Sequence, residues 1–158
     1  MVKNPFPSIN SIRELYASIS SNLAFQLFFN PWVNPYTLGG KRSVLAEGVM
    51  CTLVTVLITI PAIAKALSAA RRTGELSSRI PEISLMRWLP KNRWLFALLV
   101  SAIFAPAGGL LFAFIFKFYG FTSWTFYQLF LAKFAYLTVL GKVLAPLAII
   151  RFTQPDIN

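Results

Sequence analysis

Two lysines, Lys133 and Lys142, interrupt an otherwise apolar stretch running from about Trp124 to Ile150. An ammonium group inside such a stretch can select an anion, hold a lipid phosphate or pair with an acid. Nine residues separate the two, about 180° around an ideal helix, so they serve different faces. Lys133 follows the preceding turn by roughly ten residues, or about 15 Å of helix, which gives it no easy route to a headgroup region. It is therefore the candidate anion-binding group within the apolar region. Lys117 and Lys142 lie nearer the ends of their stretches and are expected to reach headgroups with their long stems. Glu47 is the acid at the start of an apolar segment, but sequence does not establish which cation it meets.

The other reactive residue types exclude more than they offer. The chain has no histidine, which removes histidine acid–base roles and histidine metal ligands. Cys51 is alone and makes neither an internal disulfide nor a cysteine-rich metal site. Glu14, Glu47, Glu75, Glu82 and Asp156 are scattered without a spacing that pairs carboxylates for acid–base work. The GGKRS stretch at 39–43 lacks the full phosphate-loop pattern and reads as a turn at a headgroup boundary. No catalytic set, metal site or cofactor is expected.

A second group of cations lies between Ser68 and Arg93. Arg71, Arg72, Arg79, Arg87, Lys91 and Arg93 outnumber Glu75 and Glu82, a local balance of 6 − 2 = +4. With no nucleic-acid module around them and apolar segments on both sides, these residues are expected to meet anionic lipid headgroups. Residues 81–89 fit a short interfacial helix, with Ile83, Met86, Trp88 and Leu89 dipping toward lipid.

Elements that position these groups follow from composition. The chain's 158 residues are 56% hydrophobic, include 15 phenylalanines and carry a formal charge of +10; mean hydropathy is +0.63. That composition predicts an all-α, small polytopic transmembrane helical bundle forming one integral-membrane domain over residues 1–158. The uncharged run Trp94–Phe116 has 23 residues, about 35 Å as a helix and enough to cross the roughly 30 Å hydrocarbon layer. Expected spans are 15–31, 44–67, 94–117 and 124–150, with 68–93 as a basic interfacial loop. The first is the weakest, because Ile12, Leu15, Tyr16, Ile19, Leu23 and Leu27 also suit a surface-lying amphipathic helix. Four spans place the basic loop and the N-terminus on the inner side, although Lys41 and Arg42 then fall outside. Trp32, Tyr36, Tyr119 and Trp124 are expected at one interface, and Trp88 and Trp94 at the other.

Helix packing is the remaining signal. Pro61, Pro106 and Pro146 each lie within an apolar segment and predict bent helices that need compensation from neighbours. Ala97, Ser101, Ala105, Gly109 and Ala113 recur every four positions, a small-residue row that permits close approach. Ala62, Ala66 and Ala70 form a weaker row, and Gly141 with Ala145 a short one. Ala105 and Gly109 are the expected closest contact. Together these features suggest a structural or accessory subunit of a membrane assembly, in contact with lipids and with protein partners or its own copies, and not with nucleic acid. The alternative is a small anion-conducting channel or transporter dependent on Lys133. Both place the chain in a bacterial inner membrane or an organelle membrane.

Overall fold

The computed structural model describes residues 36–39, 43–72 and 88–153. These form three long helices: α1 (Val44–Arg72), α2 (Arg93–Phe118) and α3 (Phe126–Thr153). All three are long and apolar enough to cross a membrane, so the described residues hold an all-α transmembrane bundle of three spans rather than four. The expected span 15–31 lies outside them, as do Arg79 and Arg87 and most of the proposed interfacial helix. At the edges of the basic loop, residues up to Arg72 belong to α1 and Arg93 opens α2.

Each helix begins where a polar side chain meets its first free amides. The Ser43 hydroxyl accepts from the Ala46 amide at the start of α1. Asn92 caps α2 by accepting from the Trp94 amide at 2.9 Å. At α3 the cap is reciprocal. Thr125 Oγ1 accepts from the Gln128 amide, while Gln128 Oε1 accepts from the Thr125 amide at 2.9 Å, the two-way arrangement a T-x-x-Q sequence permits.

A left-handed residue ends α2. Gly120 has φ +66°, and the Gly120 and Phe121 amides donate to the Lys117 and Phe116 carbonyls. Those crossed bonds satisfy the last carbonyls and turn the chain sharply. Residues 119–125 then return it to α3. Just before α1, the Tyr36 and Trp124 backbones exchange hydrogen bonds of 2.9 and 2.8 Å, and the Val44 amide donates to the Thr37 carbonyl. The start of α1, the end of α2 and the start of α3 are thereby gathered at one end. Hence α1 and α3 run parallel, with α2 antiparallel to both.

Pro61, Pro106 and Pro146 each sit inside a continuous helix. Pro61 is buried, whereas Pro106 and Pro146 are exposed on the outer surface. The core follows α1, which packs against both other helices. One cluster joins Val56, Ile60 and Ile63 to Phe96, Val100, Leu137 and Leu144. A second, nearer the gathered end, joins Val44, Phe112, Phe116, Trp124 and Leu129. Tyr36 and Trp124 belong to this core and are buried, so they do not face lipid as the sequence suggested. Their backbone pairing and the rings of Phe112 and Phe116 account for the difference. At the other end Trp88 is 90% exposed and Trp94 about half exposed.

Candidate functional site

Near the gathered end, the bundle holds a polar cluster inside its apolar walls. It starts from a stripe on α1: Gly48, Thr52, Thr55 and Thr59 recur at steps of three or four and are all buried. The Thr52 hydroxyl donates to the Gly48 carbonyl at 2.7 Å and stands 2.8 Å from the Tyr136 hydroxyl on α3. A threonine hydroxyl has one proton. With that proton on Gly48, Tyr136 is the donor to Thr52, and each hydroxyl has a partner within the low-dielectric interior.

Glycines make the space for this contact. A methyl group on Gly108 would collide with the Thr52 hydroxyl and stand 2.6 Å from the Tyr136 hydroxyl. A methyl group on Gly48 would stand 2.8 Å from the Gly108 carbonyl and 3.1 Å from the Phe112 ring. On Gly109 it would meet Val49 at 2.5 Å and the Leu45 carbonyl at 3.1 Å. The backbones of α1 and α2 thus touch at Gly48 and Gly108–Gly109, which little side-chain volume separates. Phe112 closes the cluster, its ring meeting the Tyr136 ring edge-on with centroids 5.3 Å apart.

One helical turn toward the gathered end, Lys133 Nζ donates to Glu47 Oε2 at 2.5 Å. The lysine side chain is 1% exposed and that of Glu47 is 23% exposed. Glu47 lies in the first turn of α1, where the helix dipole also favours a negative charge. The two charges cancel locally. The pair holds α1 and α3 in a fixed register, because removing Glu47 would strand the buried Lys133. Cys51, one turn along from Glu47, is buried.

The residues singled out from the sequence fall in several places. Ala97, Ser101, Ala105 and Gly109 are buried along α2, and Ala113 is half-buried. On α1, Ala62 and Ala66 are half-buried and lie away from the glycine contact; on α3, Gly141 is buried and Ala145 half-buried. Of the basic residues, Arg71, Arg72, Lys91 and Arg93 are exposed at the end opposite the gathered one. Lys133 is apart from all of them, joined to Glu47. Sequence reasoning missed Gly48, Gly108, Thr52 and Tyr136, although the threonine stripe at 52, 55 and 59 was visible. It also missed Arg151, which is buried and donates to the Leu89 carbonyl at 2.8 Å, fastening the approach to α2 onto the end of α3.

Among the described residues no cluster of metal-ligating side chains is present. Comparison of the chain with protein-family models, curated proteins and solved structures finds no match. The protein is a small membrane-embedded helical bundle with buried polar and charged contacts.

Proposed function

We propose that this protein is a structural or accessory subunit of a membrane assembly. The observation that carries the reading is the Glu47–Lys133 pair: the lysine on which anion conduction depended is 1% exposed and neutralised inside the bundle. A cation committed to an internal acid serves helix register better than it serves a moving anion, which would have to displace the carboxylate. The close glycine contact supports the same view, since it favours one rigid packing over a passage that opens.

In this reading the glycine and alanine contacts consolidate the chain's own helices, and its broad apolar outer surface meets lipid and neighbouring subunits. The uncharged 17-residue run 15–31 is long enough for one further span. Arg71, Arg72, Lys91 and Arg93 meet anionic headgroups at the inner side, with Arg79 and Arg87 from the same loop. An inner membrane of a bacterium or an organelle suits this orientation.

Reconstitution of the purified chain in vesicles separates this role from anion conduction. The subunit reading expects chloride and phosphate flux at the level of empty vesicles, and migration from gently solubilised native membranes well above the mass of a monomer. Flux that falls on Lys133→Met, with the fold retained, would establish the conducting alternative.

A further inference from the structure

We propose that the α3 face around Lys142 docks a transmembrane helix of a different protein, one that carries an aspartate or glutamate near its middle. The inference deepens the subunit reading and rests on it.

Two observed contacts set the depth of Lys142. Tyr136 meets Thr52 across a separation of 84 positions, and Lys133 meets Glu47 across 86. Because α1 and α3 run parallel, Lys142 lies level with residues 142 − 84 = 58 and 142 − 86 = 56. Residue 58 is the midpoint of α1, Val44–Arg72, and residue 56 the midpoint of its uncharged run, Gly48–Ala64. That run is about 25 Å long, which leaves roughly 12 Å from Lys142 to either charged level. A lysine stem reaches about 6 Å. Helical side chains also lean toward their own N-terminus, here away from the Arg151 end. Snorkelling to the inner headgroups, the sequence-based expectation for this residue, therefore falls short.

Lys142 is exposed on the outer surface of the bundle. It shares its face with Ala135, Val139, Val143 and Pro146, all exposed, spaced as a helix requires for one continuous stripe. Their modest side chains let a neighbouring helix approach closely. A full positive charge facing hydrocarbon is costly, and a carboxylate at the same depth relieves that cost. The chain's own acids do not meet the requirement. Glu47 is bonded to Lys133. Glu14 borders the uncharged 15–31 run, Glu75 and Glu82 belong to the basic loop, and Asp156 follows Arg151. None stands in the middle of an apolar run, so a second copy offers no more than the first, and the acid must come from another chain.

A photo-crosslinking amino acid at Val139 or Val143 of the full chain, activated in native membranes, tests this when the crosslinked peptides are sequenced. The expected product joins a transmembrane segment of a different protein that contains an aspartate or glutamate. Its yield should fall at least tenfold with Lys142→Met and recover with Lys142→Arg, while thermal unfolding in detergent is unchanged or improved. Crosslinks to lipid alone, to a second copy, to residues 15–31, or to a segment without an acid would overturn the proposal, as would a yield indifferent to Lys142→Met. Native gel migration separates the two failures. Lost crosslinks with a persistent large assembly refute the Lys142 contact alone, and migration as a monomer refutes the subunit reading with it.

Discussion

The Thr52 and Tyr136 hydroxyls stand 2.8 Å apart, and Gly108 lies where any side chain would come between them. One residue from each helix thus meets at a single point, where α1 presents a hydroxyl, α3 presents another and α2 presents bare backbone. Both the register of α3 on α1 and the approach of α2 to α1 depend on that point.

Adding volume there should be costly. Gly48→Ala places a methyl group against the Gly108 carbonyl, and backbone yields less readily than a flexible side chain. A loss of about 1–3 kcal/mol is expected, as for overpacked cores. Gly109→Leu adds more bulk against Val49 and Leu45 and should cost more. Unfolding in a graded series of denaturing to mild detergent measures both. Wild-type stability in Gly48→Ala would mean that the helices are farther apart than described.

Removing the hydroxyl pair should cost less. Tyr136→Phe keeps the ring against Phe112 and deletes only the donor to Thr52. Hydrogen bonds between helices in membranes contribute about 0.6 kcal/mol on average, reaching about 1.7, so a loss in that range is expected. Thr52→Val in the Tyr136→Phe background should then add little, because the interaction is already gone. Additive losses in the same unfolding assay would show that the two hydroxyls act separately.

The α2–α3 connection gives a third test. Gly120 has φ +66°, a conformation that costs a residue with a Cβ roughly 1–2 kcal/mol. Gly120→Val should destabilise the protein by at least that amount, since a branched side chain suits this region poorly. Gly120→Asn should be tolerated better than Gly120→Val. Thermal unfolding of the two variants side by side checks the order, and equal midpoints would contradict it.

What the sequence revealed depended on whether the signal was local. The segments of α1, α2 and α3 were legible because the thickness of hydrocarbon demands long uncharged runs, and Trp94–Phe116 meets that demand without help from its neighbours. The row Ala97 to Ala113 was legible because it repeats. Gly48 and Gly108 were not, since neither belongs to such a row; Gly48 has Val44 and Thr52 four positions away. Glu47 and Lys133 are both conspicuous charges, but their pairing depends on how far α3 is shifted along α1. That shift is set by the Thr52–Tyr136 contact and by the Tyr36–Trp124 backbone pairing, neither of which leaves a periodic trace. Tyr36 and Trp124 looked like interfacial aromatics for a similar reason: amphipathic rings suit a headgroup region and a buried corner alike.

The central claim is that Lys133 serves as the internal counter-charge of Glu47, and a double-mutant cycle in detergent unfolding tests it most directly. Glu47→Gln should destabilise the fold by about 3–5 kcal/mol, because it strands the buried Lys133, and Lys133→Met should cost less, because the Glu47 it leaves is partly exposed. The double variant should recover most of that loss and unfold near the wild type. If instead the two losses add, or Lys133→Met alone leaves stability unchanged, the lysine is not held by Glu47 and the account of a locked bundle is contradicted.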